Sequence, residues 1–117
     1  VKVGDLANRK VLAIRPEQTL RDAAQVMIEH GVGSAVVLGT GGDLIGIFTE
    51  RDMLRAVAAG ANVDAKAVEE LMTREVATIG PDWEVYEGAA EMTARHIRHL
   101  VVCDDGGVLG MLSVRDL

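Results

Sequence analysis

At 117 residues the chain suits one compact domain, long enough to bury roughly two-thirds of the surface its unfolded form exposes. Hydrophobic residues make up 49%, which excludes a disordered chain; only Phe48, Trp83 and Tyr86 are aromatic, so the core falls to Val, Leu, Ile, Ala and Met. A net charge of −6 argues against the broad basic surface that nucleic acid or an anionic membrane requires.

The first predicted element is a short apolar strand over 11–14, which Pro16 separates from a helix. In that helix Leu20, Ala23, Ala24, Met27 and Ile28 recur at i, i+3, i+4, i+7 and i+8, and Thr19 stands as its N-cap with Asp22 three residues on. Two apolar runs, 35–38 and 44–48, flank Gly39-Thr40-Gly41-Gly42-Asp43 and read as a hairpin. A second helix is expected from Thr49 to about Gly60, then a linker over 61–66 and a short helix over 67–72. The series begins again with a strand over 76–79, Pro81, and a helix whose apolar stripe is Val85, Ala89 and Met92, with Glu84, Glu87 and Glu91 off it. Trp83 at the start of that helix reads as a packing anchor, with a partner surface as the second reading. A second hairpin joins 100–103 to 108–112 across Asp104-Asp105-Gly106-Gly107, and a last helix opens at Ser113 and stops with the sequence at Leu117. The sequence starts at Val1 and stops at Leu117 without clear termini, which leaves open whether it is part of a longer chain.

Acids crowd the stretch from Asp64 to Glu91, a solvated face in its plainest reading. Cys103 is the one cysteine, so no internal disulfide forms; inside the run Leu100-Val101-Val102-Cys103 it reads as a buried, inert thiol. Met27, Met53, Met72, Met92 and Met111 are spaced as core. No run approaches the roughly 18 apolar residues of a membrane span, and no signal peptide is visible, so the expected location is the cytoplasm.

The elements recur because the sequence is written twice. At a shift of 65, Val3 meets Val68, Leu6 meets Leu71, Arg9 meets Arg74, Ile14 meets Ile79, Pro16 meets Pro81, Met27 meets Met92, and Val36-Val37 meets Val101-Val102. After Asp43 the shift becomes 64, and Gly46, Arg51 and Asp52 meet Gly110, Arg115 and Asp116. The order is strand-helix-strand-strand-helix in each copy, an α/β (α+β) class of two β-α-β-β-α motifs: residues 1–60, a linker 61–66, and 67–117 with its last helix cut short.

The repeat and the stretches Gly46-Ile47-Phe48-Thr49-Glu50-Arg51-Asp52 and Gly110-Met111-Leu112-Ser113-Val114-Arg115-Asp116 fit the pattern Gly-x-x-Thr/Ser-x-x-Asp. In this the chain resembles the CBS domain, found in tandem in cystathionine β-synthase, inosine monophosphate dehydrogenase, chloride channels and AMP-activated protein kinase. Ile97-Arg98-His99-Leu100-Val101-Val102-Cys103-Asp104 adds to the likeness, with Val101 where the family usually has Pro. The resemblance covers essentially the whole chain. It implies two motifs packed about a pseudo-twofold axis (a Bateman module), with two related clefts. It implies AMP, ADP or ATP as ligand, S-adenosylmethionine or NAD as further choices, no required cofactor, and a homodimer.

Thr49 and Ser113 each open a helix with an acid three residues on, which is a capping-box pattern; a helix start also offers N–H groups and a positive dipole end to phosphate. The resemblance implies that Asp52 and Asp116 meet ribose, that Thr49 and Ser113 touch ligand, and that Met111 lies against the base. It implies one cleft of Arg98, His99, Met111, Ser113 and Asp116 with Leu12 and Ala13. The other joins Gly33, Ser34, Ile47, Thr49 and Asp52 to Ala77 and Thr78. Arg95, His96, Arg98 and His99 form a basic island, either a solvated helix end or phosphate contacts; copy one has the neutral Gly33-Ser34 there, so unequal clefts are expected. No P-loop, metal-ligand cluster or nucleophile with its base is present in the sequence, so the chain reads as non-catalytic. The first reading is a ligand-sensing module acting on a fused or separate regulated domain. The alternative is a structural or dimerisation module with empty clefts.

Overall fold

The computed structural model describes all residues from Val1 to Leu117. Its strands are β1 (Ala13–Ile14), β2 (Ser34–Leu38), β3 (Leu44–Thr49), β4 (Thr78–Ile79), β5 (His99–Asp104) and β6 (Gly107–Ser113). Its helices are α1 (Val3–Leu6), α2 (Leu20–His30), α3 (Glu50–Ala58), α4 (Val68–Leu71) and α5 (Val85–Arg95), followed by a 3-10 turn over Val114–Asp116. The strands form two three-stranded sheets, ordered β1-β2-β3 and β4-β5-β6. In each, the first pair is parallel across a helix and the second is a hairpin. Register repeats too: Val36 faces Ala13 and Ile47, as Val101 faces Thr78 and Met111.

As sequence repeats the copies run 1–60 and 67–117; as packed units they are drawn otherwise. One unit is 12–75, holding β1–β3, and the other is 1–11 with 76–117, holding β4–β6. Each sheet is therefore completed by the short helix that leads the opposite copy. Burial decides this. Val3 of α1 is fully buried among Ile79, Met92, Leu100 and Leu112, and Val68 of α4 among Ile14, Leu20, Val37 and Phe48. Burying a valine side chain contributes about 1.5–3 kcal/mol, enough to fix where a four-residue helix docks. The two Pro loops receive the helices alike: Gly4 N–H donates to Pro81 O at 2.9 Å, and Glu69 N–H to Pro16 O at 3.0 Å.

Beyond each short helix the backbone crosses the free edge of the hairpin. Thr73 and Ile47 exchange two hydrogen bonds of 2.9 Å, and Asn8 and Met111 exchange a pair of 2.9 and 3.0 Å. The signature glycines make room for this. A Cβ on Gly110 would stand 2.8 Å from Asn8 O, and one on Gly46 would stand 2.6 Å from Met72 Sδ and 3.0 Å from Thr73 O.

The helices follow the sequence with local corrections. Thr19 caps α2, its hydroxyl accepting from Asp22 N–H at 3.1 Å, and Gly31 ends the helix with φ of 63°. Leu20, Ala23 and Met27 are buried and Ala24 half-buried, but Ile28, expected in the same stripe, is 81% exposed. It lies about 100° round the helix from Met27, beyond the sheet's reach. In α5 the buried positions are Gly88 and Met92, whereas Val85 and Ala89 are half-buried. A Cβ on Gly88 would stand 3.0 Å from Leu112 Cδ2, so glycine lets that helix sit close to the sheet without moving the Leu112 side chain. Four methionines are buried; Met53 is half-buried, as are Ile45 and Leu109. Trp83 is 36% exposed, and its backbone carbonyl accepts from Val3 N–H at 2.8 Å, so the main chain anchors this segment together with the part-covered ring.

The acidic stretch is largely exposed, and half of its acids are ion-paired. Arg21 holds Asp64, Lys66 holds Glu70, Lys2 holds Glu84 and Arg95 holds Glu91. Lys2 keeps the Glu84 carboxyl below the usual carboxylate range through a hydrogen bond and charge, and Arg21 does so for Asp64. Cys103 is half-buried rather than buried, because it lies beyond the register shift after Val102. Burial first and the Asp104 charge second push its thiol pKa up.

Two outcomes follow from this packing. Gly110→Ala should cost about 1–3 kcal/mol in urea denaturation, because a main-chain carbonyl blocks the new methyl group. Gly46→Ala should cost less, since the Thr73 carbonyl lies farther off at 3.0 Å and the nearer Met72 thioether is a flexible side chain; equal small losses would show that the crossing segments shift freely. Iodoacetamide should label Cys103 more slowly in the folded protein than in urea at the same pH, and equal rates would contradict the raised thiol.

Candidate ligand-binding site

The Thr49 and Asp52 pair forms a full capping box. Asp52 N–H donates to Thr49 Oγ1 at 3.3 Å, and Thr49 N–H donates to Asp52 Oδ2 at 2.9 Å. Asp52 is the buried charged residue of the chain, 4% exposed. Its burial is offset by further donors: the Thr49 hydroxyl reaches Oδ2 at 3.2 Å, the Thr73 hydroxyl reaches Oδ1 at 3.2 Å, and Arg55 Nη1 lies 3.7 Å from Oδ1. The Ser113 and Asp116 pair keeps one part of this. Ser113 N–H donates to Asp116 Oδ2 at 2.8 Å, and both residues are half-buried.

The basic island divides by position. Arg95 pairs with Glu91 at 2.7 Å, and His96 takes the left-handed place after α5 with φ of 55°, where the first copy has Gly31. Arg98 is exposed, and its guanidinium makes no hydrogen bond or ion pair. Its carbonyl accepts from Val114 N–H at 3.0 Å, which pins it to the start of the 3-10 turn. Gly33 is pinned identically, its carbonyl accepting from Glu50 N–H at 2.9 Å. A Cβ on Gly33 would stand 3.0 Å from the Glu50 carboxyl carbon. Thus one helix start carries an acid beside a glycine, and the other carries an arginine beside Val114. In register, Ser34 faces Thr49 and His99 faces Ser113.

The remaining sequence-named residues are placed by their own strands. Ile47 and Met111 are buried, at 8% and 7% exposure, next to the crossing segments. Leu12 O accepts from Val36 N–H at 2.9 Å and Ala77 O from Val101 N–H at 3.0 Å, which sets Ala13 and Thr78, both exposed, on the edge strands β1 and β4. The Asp116 group falls in the β4–β6 unit with Ala77 and Thr78, and the Asp52 group in the β1–β3 unit with Leu12 and Ala13. Sequence reasoning passed over Glu50 and Thr73. Glu50 was legible as the counterpart of Val114; Thr73 was not, because nothing in the sequence shows its segment folding back over β3. No three His, Cys, Asp or Glu residues converge as a metal site would need.

Residues 3–59 and 68–117 both match the family model of the CBS domain. Among curated proteins, an uncharacterized protein of Methanopyrus kandleri is 36% identical over 119 aligned positions, which take in 100% of this chain and 61% of that protein. The chain thus spans less than two-thirds of that relative's length. A solved CBS domain protein from Pyrobaculum aerophilum, complexed with AMP, is 29% identical and superposes with a TM-score of 0.91 over 100% of this chain and 90% of its own. The CBS domain pair of protein MJ0100, in complex with 5′-methylthioadenosine and S-adenosyl-L-methionine, is 28% identical, with a TM-score of 0.90 over 99% and 91% of the two chains. With both repeats matched and the α+β fold shared along the whole chain, this protein belongs to the CBS domain family as a tandem pair.

Proposed function

We propose that this pair is a regulatory, non-catalytic module that senses an adenine nucleotide or adenosyl compound, and that its stronger phosphate site is built around Asp116. The observation that carries this is the charge difference between two starts that match in main-chain position, the start of α3 and that of the 3-10 turn. Arg98 stands unpaired beside Val114, whereas Gly33 stands beside the Glu50 carboxylate. A phosphate gains from the first and is repelled by the second. Ser113 and Asp116 add a hydroxyl and a carboxylate suited to ribose. Neighbours that bind AMP, S-adenosyl-L-methionine and 5′-methylthioadenosine support the adenosyl class. AMP, ADP and ATP come first for the Asp116 site; at the Asp52 site the Glu50 acid disfavours phosphate, so an uncharged or cationic adenosyl compound such as S-adenosylmethionine is preferred there over a nucleotide, and is held more weakly than at an open carboxylate. Binding shifts the population of the pair's conformations and so biases an attached domain or partner. We place the module in the cytoplasm; no helix is long and apolar enough to cross a membrane.

Calorimetry tests the assignment. Arg98→Ala should weaken AMP and ATP roughly tenfold or more and adenosine little, since a hydrogen bond to a charged group is worth about 1.5–3 kcal/mol. Asp116→Ala should weaken all three. AMP binding that survives Arg98→Ala and vanishes in Asp52→Ala would move the phosphate site to the other helix.

A role in self-association is favoured by a separate observation. Ile28, Leu54 and Val57 are 81%, 70% and 58% exposed on α2 and α3 of one unit. We propose that a homodimer covers them. Sedimentation should give the dimer mass, and Leu54→Glu should shift it toward monomer; a monomer at high concentration in the unaltered chain would reject the assembly.

A further inference from the structure

We propose that Thr73 is a specificity-determining residue that acts through Asp52, occupying the carboxylate so that its half-site takes a ribose diol poorly. This rests on the reading of Asp52 and Asp116 as ribose acceptors and assigns the inequality between them to a residue outside the signature.

The two crossing segments share one backbone arrangement. Thr73 and Asn8 are equivalent in the repeat, and each exchanges a pair of main-chain hydrogen bonds with the strand residue after the signature glycine. Their side chains part there. The Thr73 hydroxyl donates to Asp52 Oδ1 at 3.2 Å and lies 3.5 Å from Oδ2. Asn8 Oδ1 instead accepts from Lys10 N–H at 2.9 Å, within its own loop. The Asp116 carboxylate therefore accepts only from Ser113 N–H, on Oδ2.

A vicinal diol presents two O–H donors to a carboxylate, and a carboxylate offers about four lone-pair directions. At Asp116 one is taken and Oδ1 is open. At Asp52, Thr49 takes Oδ2 twice, Thr73 takes Oδ1, and Arg55 stands beyond it. A diol arriving there must displace the Thr73 hydroxyl, which exchanges its bond to the carboxylate for one to water. Asn8 imposes no such exchange on Asp116.

The test isolates the Asp52 half-site in an Asp116→Ala chain and reads adenosine binding by calorimetry. Adding Thr73→Val should strengthen adenosine roughly tenfold, the worth of one charged hydrogen bond regained. Adding Thr73→Ser, which restores the hydroxyl, should return the weaker binding. Thr73→Val with unchanged or weaker adenosine binding, in a protein whose unaltered form binds adenosine, overturns the proposal. A denaturation cycle of Thr73→Val with Asp52→Asn reads the contact without ligand; additive effects overturn it as well. If the cycle shows coupling but no form binds adenosine, the adenine reading itself fails, and the binding role of Thr73 falls with it.

Discussion

Each unit is organised by a pair of main-chain hydrogen bonds exchanged over a glycine: Thr73 with Ile47 across Gly46, and Asn8 with Met111 across Gly110. One such bond is worth only about 0.5–1.5 kcal/mol net, so its importance is positional. It seals part of an edge strand that would otherwise present bare N–H and C=O groups. It also carries the preceding short helix onto the sheet, where Val3 or Val68 fills the core. On the other side it fixes what stands next to the signature carboxylate. The glycine of Gly-x-x-Thr/Ser-x-x-Asp is thus explained by approach distance, and the acid three residues past the hydroxyl by the helix start it caps.

That shared frame makes the differences between the copies readable. Carbonyls of Gly33 and Arg98 accept equivalent N–H groups, and Ser34 and His99 face equivalent hydroxyl residues. Geometry is held constant while side chains vary, as in a controlled substitution. The β1–β3 unit then offers a buried, fully bonded Asp52 beside an acid; the β4–β6 unit offers a less engaged Asp116 beside a cation. Duplication kept the scaffold and left the chemistry free to diverge.

Much of this was legible beforehand, for physical reasons. Periodicity marks α2 because a helix against a sheet must bury one stripe, and Thr19 and Thr49 declare their helix starts because orphan N–H groups need an acceptor. The hairpins are marked by glycines between apolar runs. Partnership of the short helices was hidden: Val3 and Val68 occupy matching places in the repeat, and local sequence cannot state which sheet receives them. Ile28 was misread because a stripe in sequence is wider than the strip of helix a three-stranded sheet covers. Thr73 lay outside every motif, since its role depends on a segment folding back across β3.

The interleaving of the chain also imposes an order on its making. Residues 12–75 are contiguous and hold their own buried cluster, so they can close as soon as they leave the ribosome. Residues 1–11, made before them, pack in one unit with the later-made residues 76–117. Val3 meets Ile79, Met92, Leu100 and Leu112 only as each is made, so residues 1–11 must wait through the translation of the whole intervening unit. The long-range step in the assembly of this pair is therefore the capture of residues 1–11 by residues 76–117.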